Sequence, residues 1–119
     1  MSDRHFARLQ RGVDEARQAG AEIIEVGDAK ALAEKRKLPL TLIINPPTHT
    51  TVMQEEIFGP ILPIVGVASP EEAVTKVNQG ERPLALYWFG EDKLACEKTL
   101  SNTVSGGVTV NDTLWHCAQ

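Results

Sequence analysis

In the run Val52-Met53-Gln54-Glu55-Glu56-Ile57-Phe58-Gly59-Pro60-Ile61-Leu62-Pro63, two adjacent carboxylates meet an aromatic, then a Gly-Pro break, then an apolar stretch. Carboxylates are pure acceptors, with one hydrogen bond available to each oxygen. The segment reads as an acidic turn beside one exposed aromatic, Phe58, at the mouth of a strand. Gly59-Pro60 lets the chain turn sharply and enter that strand. The residues alone leave a second reading open, in which Glu55-Glu56 is a solvated turn and Phe58 a plug in the core.

Other residues capable of chemistry offer less. Cys96 follows Ala95 in a helical segment and reads as a small, inert core residue. Cys117 follows His116, and a Cys-His pair is the raw material of thiolate activation, yet neighbours in sequence usually point apart. Both thiols are expected to be reduced and catalytically silent, because the two cysteines have neither metal spacing nor the density of a secreted disulfide scaffold. His5, His49 and His116 lack metal-ligand spacing and are expected to be solvated or locally bonded. No metal site and no catalytic residue is assigned. Trp88 and Trp115 read as packing residues, Trp115 as one buried by a partner segment outside this chain. Asn111 reads as a turn-former with local bonds to the backbone. Gly106-Gly107 inside a strand permits a bulge or a close backbone approach to substrate.

Composition narrows the classes. At 119 residues the chain is one domain at most. A net charge of −4 with scattered Lys and Arg argues against a nucleic-acid partner, which needs a concentrated basic face. No apolar run approaches the roughly 18 residues of a membrane span, and the N-terminus lacks the basic-then-apolar pattern of a signal peptide. A cytoplasmic location, with no membrane partner, is the expectation.

The elements that must position these residues follow from periodicity. Phe6, Leu9, Val13 and Ala16 form one face of a helix from Asp3 to Ala19, with Ser2 or Asp3 as N-cap and Gly20 in the C-terminal capping position. Ala21–Val26 is a short strand, 29–37 a weak helix, and Leu38–Asn45 a second strand closed by Pro46-Pro47. Ile61–Val67 is so apolar that it predicts a strand buried on both faces. Ser69-Pro70-Glu71-Glu72 opens a helix with a capping box, and Gly80 stops it. Leu84–Phe89, a helix from Glu91 to about Asn102, and Val104–Asn111 complete the order. Strand-helix alternation of this kind predicts βαβ units and a mostly parallel α/β sheet with right-handed crossovers. The chain reads as one compact unit without an internal repeat.

Four stretches, in order, resemble the aldehyde dehydrogenase superfamily. These are Arg36–Ile43, Met53–Pro63, Pro83–Tyr87 with Phe89, and Ser105-Gly106-Gly107-Val108-Thr109-Val110-Asn111-Asp112. The wording is most similar to the class-3 branch, and within it to coniferyl aldehyde dehydrogenases. The resemblance implies a three-layer-type α/β domain that is part of a catalytic domain, spanning residues 1–119. It implies that Glu56 accepts hydrogen bonds from both hydroxyls of the nicotinamide ribose of NAD or NADP, and that Phe58 lies against the ribose-nicotinamide. Glu55 is then solvated or a helix-end charge.

The departures from the family pattern matter equally. No Gly-x-Gly-x-x-Gly occurs, and neither the family's Gly-x-x-Cys nucleophile nor its general-base glutamate is present. The nucleotide-binding domain and the C-terminal oligomerisation strand are expected to be missing. The implied function is therefore that of a fragment of an NAD(P)-dependent enzyme oxidising a coniferyl-type aldehyde to the acid, inactive alone. Its natural partner would be the remainder of the enzyme. The competing expectation is a truncated-gene remnant, or an interaction module that self-associates through apolar boundaries.

Overall fold

The structure, a computed structural model, describes residues 1–115. Chain contacts divide it into two compact units, Met1–Gly66 and a second beginning at Val67, where the sequence reads as one.

The first unit is built on α1 (Asp3–Gln18). Ser2 caps it by accepting from the His5 amide at 3.3 Å, and Gly20, at φ +92°, ends it in the left-handed region open to glycine. The expected apolar face is the buried one: Leu9, Val13 and Ala16 join Ala21, Ile43, Val52 and Ile61 in the core, while Phe6 is half-buried. Each large side chain removed from water there contributes about 1.5–3 kcal/mol. Ile43, fully buried, stands at the centre of β2 (Leu40–Ile44).

β1 (Glu22–Val26) pairs antiparallel with β2, and β2 pairs parallel with β3 (Ile61–Ile64). The helix expected over 29–37 shrinks to α2 (Ala29–Ala33). α3 (Thr51–Gln54), between β2 and β3, was not expected at all; four residues carry too little period to be read. The strand expected to be buried on both faces is corrected: β3 ends at Ile64, and Leu62 is 53 % exposed. β3 stands at the end of the strand order, and Pro63, which has no N–H to give a further neighbour, suits an edge.

The second unit contains α4 (Pro70–Gln79), β4 (Ala85–Trp88), α5 (Lys93–Ser101) and β5 (Gly107–Val110). The Ser69 hydroxyl accepts from the Glu72 amide at 3.3 Å, and the Glu72 carboxylate accepts from the Ala68 amide at 2.8 Å. That is the expected capping box, reaching back one residue further than usual. Asp92 caps α5 by accepting from the Ala95 amide at 2.9 Å. β4 and β5 run parallel around α5, as the alternation predicted. A Cβ on Gly106 would stand 2.5 Å from the Leu84 carbonyl oxygen, so this glycine permits a close approach between two backbone segments of the chain itself.

Both parallel pairs finish in the same way. After β2, Asn45 (φ +48°) donates its amide to Ile64 O at 2.7 Å, and its Oδ1 accepts from Gly66 N at 2.7 Å. After β5, Asn111 (φ +56°) donates to Trp88 O at 2.7 Å, and its Oδ1 accepts from Gly90 N at 2.8 Å. Asn111 adds a third bond, from Nδ2 to Gly90 O at 3.1 Å. Asn111 is thus a turn-former as expected, but its bonds cross between strands rather than staying local.

The Lys98 ammonium donates to Glu71 at 2.7 Å, tying α5 to α4. Glu71 is consequently held at about 2 rather than 4.5, first by Lys98 and then by a backbone bond and Ser69. A depressed folded value means the tie is fully present above pH 4.5 and lost as the pH falls towards 2. Lys98→Met should return the Glu71 titration towards 4.5, read from the side-chain carboxyl carbon by NMR; an unmoved midpoint would remove Lys98 as the cause.

Candidate functional site

Glu56 and Phe58 lie together on the turn between α3 and β3, which rests on one stripe of α1. Gly59 sits so close to Leu9 that a Cβ there would stand 2.5 Å from a Leu9 methyl. Leu9 is itself buried, so displacing that methyl means displacing its neighbours in the core. The seam lined by Arg8, Leu9, Gly12, Val52, Ile57 and Ile61 leaves only about 10 Å³, about one water-sized probe at most. At its far end the turn is tied to β2 by Thr41 N donating to Pro60 O at 2.9 Å.

Both ends of α3 are held by α1. The Glu15 carboxylate accepts from the Thr51 amide at 3.2 Å and caps the helix start, where Thr50 makes no side-chain cap. The bond to Thr51 pulls Glu15 below the usual carboxylate range, aided by the charge of His49. At the other end Arg8 pairs with Glu55, the C-cap residue, at 3.7 Å. A negative charge at a helix C-terminus is unfavourable, and Arg8 offsets it.

Arg8 also donates Nη1 to Glu56 O at 3.3 Å and Nη2 to Ile57 O. His5 Nε2 lies 2.7 Å from Phe58 O. A carbonyl only accepts, so Nε2 carries the proton. Phe58 occupies the left-handed region, φ +49°, which costs a residue with a Cβ about 1–2 kcal/mol. Hydrogen bonds contribute about 0.5–1.5 kcal/mol each, so the set of bonds to this turn is large enough to offset it.

The outcome for the side chains is clear. Phe58 is 71 % exposed and lies outside the core of the first unit. Glu56 is exposed, and among the described residues no group donates to its carboxylate. Glu55, expected to be solvated or a helix-end charge, is both exposed and at a helix end, and has Arg8 as partner. Sequence reasoning missed Arg8, His5 and Glu15. His5, expected to be solvated or locally bonded, instead bonds 53 residues away. No local pattern announces such a contact.

The remaining candidates are dispersed. Cys96 is a half-buried free thiol on α5 beside a hollow of about 400 Å³ that Trp88 also lines. Trp88 is half-buried, as a packing residue should be; Trp115 is 65 % exposed within this chain and donates Nε1 to Asp112 at 2.6 Å. His116 and Cys117 lie outside the described residues. Among the described residues no cluster of His, Cys, Asp and Glu could hold a metal ion, and no helix is long and apolar enough to cross a membrane.

A mixed α/β framework with two parallel strand pairs carries an open carboxylate and an exposed aromatic on a Gly-Pro turn. The chain belongs to the aldehyde dehydrogenase family, which it matches over residues 1–118. It is 49 % identical to a probable coniferyl aldehyde dehydrogenase of Caulobacter vibrioides, over all of this chain and 25 % of that protein. It is 39 % identical to the dimeric, NADP-preferring aldehyde dehydrogenase of Rattus norvegicus, over 98 % of this chain and 24 % of that one. Among solved structures, a substrate-bound Staphylococcus aureus AldH superposes with a TM-score of 0.82 at 35 % identity, over 98 % of this chain and 24 % of the other. The chain thus spans about a quarter of the length of these relatives.

Gly59→Ala should destabilise the fold by about 1–3 kcal/mol by forcing the Leu9 methyl aside. Denaturant titration checks this; a loss within 0.5 kcal/mol, the ordinary surface range of about ±0.5 kcal/mol, would mean that the turn does not bear on Leu9.

Proposed function

We propose that this chain is part of an NAD(P)-dependent aldehyde dehydrogenase that oxidises a coniferyl-type aldehyde to its acid, and that its share of the work is to hold the nicotinamide ribose. The observation that carries the reading is the Glu56 carboxylate, unpartnered among the described residues, with the exposed Phe58 two residues on, on a turn fixed by α1. The cofactor supplies the hydride acceptor. Glu56 offers one oxygen to each of two vicinal hydroxyls, a fit that a backbone carbonyl cannot reproduce. Phe58 presents an apolar face that limits where the attached ring points. NAD and NADP share this ribose, so the clamp does not choose between them. A solved betaine aldehyde dehydrogenase of Staphylococcus aureus in complex with NAD+ matches with a TM-score of 0.79 at 27 % identity, over 95 % of this chain and 23 % of that one, which supports the cofactor class. The aldehyde class rests on the coniferyl relatives, of which the Pseudomonas enzyme is 43 % identical over 95 % of this chain and 24 % of its own length.

Alone, the chain is catalytically silent in this reading. The covalent step of the family needs a thiolate in a Gly-x-x-Cys setting, and this sequence contains none. Cys96, half-buried on a helix flank, is no substitute.

A second reading, a module that associates with the rest of such an enzyme or with its own copy, is favoured by Leu84 at 82 % and Leu94 at 76 % exposure. Apolar side chains this open suit a protein-protein contact.

NAD and NADH titrations followed by ligand-observed NMR test the clamp, with Glu56→Gln as the control. A ribose held without phosphate contacts should bind saturably with Kd of about 1 mM or weaker, and Glu56→Gln should abolish it. Equal binding by both proteins would place the ribose elsewhere. No binding at all would leave the association module as the reading.

A further inference from the structure

We propose that Arg8 and His5 are positioning residues for this clamp: from α1 they set the backbone of residues 56–58, and through it the directions of Glu56 and Phe58. The inference rests on the ribose reading for its functional meaning, but the geometry behind it is independent of any ligand.

Three successive carbonyls, of Glu56, Ile57 and Phe58, all accept from just two side chains. None of the three belongs to a helix or strand, so their direction is not set by secondary structure. Left-handed φ at Phe58 is not what a phenylalanine adopts by itself, and an unfavoured backbone persists only where its surroundings impose it. The imposing groups form a stripe. His5, Arg8, Leu9 and Gly12 follow the i, i+3, i+4, i+7 spacing of one helix face. Leu9 sets how near the turn can come, because Gly59 lies against its methyls. At that distance the side chains on either side of Leu9 reach the carbonyls. The polar residues of the stripe therefore continue the work of its apolar ones.

Arg8 does a second thing. Of two adjacent carboxylates it pairs with Glu55 and leaves Glu56 open. A guanidinium suits both tasks because its fork holds several donors in one plane, whereas an ammonium would act as a single point charge. The two acidic neighbours are thereby sorted, one into the scaffold and one towards ligand.

The test uses the isotope-labelled chain with Arg8→Met, Arg8→Lys, His5→Ala and His5→Gln. The scalar coupling and Cα shift of Phe58 report its left-handed φ, and the carbonyl shifts of Ile57 and Phe58 report the bonds they accept. Arg8→Met and His5→Ala should each move Phe58 out of that conformation while Val13 and Ile43 keep their native shifts. His5→Gln, which retains a donor, should preserve it, and Arg8→Lys should fall between. The saturation-transfer signal of NAD should drop at least threefold in Arg8→Met and recover in His5→Gln. Phe58 unchanged in both Arg8→Met and His5→Ala would overturn the proposal. Were Arg8→Met to unfold, the contrast between His5→Ala and His5→Gln decides: equal Phe58 shifts in those two variants refute it. If wild type shows no NAD signal, the ribose reading fails, while the Phe58 shifts still decide the positioning role.

Discussion

The contact of Gly59 with Leu9 is the constraint on which the candidate site depends. One missing Cβ brings a loop against a helix at a distance that no other residue would allow. Everything around it follows from that approach. The seam closes to almost no free volume, Val52 and Ile61 enter the core on either side of the turn, and two polar side chains of the helix meet carbonyls that would otherwise face water. The close fit of the core and the exposed presentation of Glu56 are thus two results of one packing decision.

What could be read in the sequence was what repeats at short range. The face of α1, the Ser69 cap, the helix read from Glu91 to about Asn102 and the strand-helix order all carry their signals within a few residues. The turn was legible as a motif and by its family likeness, because its residue types are unusual together. Its support was not legible. Arg8 lies 48 residues from the carbonyl of Glu56, and an arginine on a helix is ordinarily a solvated charge. α3 escaped because its start is capped by Glu15 from another helix rather than by its own Thr50. β3 misled because a continuous apolar run marks a strand with two covered faces, whereas β3 ends after four residues and leaves Leu62 exposed.

That last discrepancy extends to the second unit. Val108 and Val110 on β5 and Leu94 on α5 are apolar yet stand open, and the chain spans about a quarter of a relative's length. Local rules of capping and periodicity hold inside each unit regardless, since they act within a few turns of chain.

The shared ending of the two parallel pairs has a different kind of consequence. Among the described residues Asn45 bonds through its side-chain oxygen alone, whereas Asn111 uses its oxygen and its amide nitrogen against the same glycine. The two asparagines look equivalent in backbone conformation, yet they answer differently to losing one nitrogen. Deamidation to aspartate would leave the clasp at Gly66 intact. At Gly90 it would set a carboxylate against a carbonyl, so the slow chemical ageing common to asparagines wears on one strand end and spares the other.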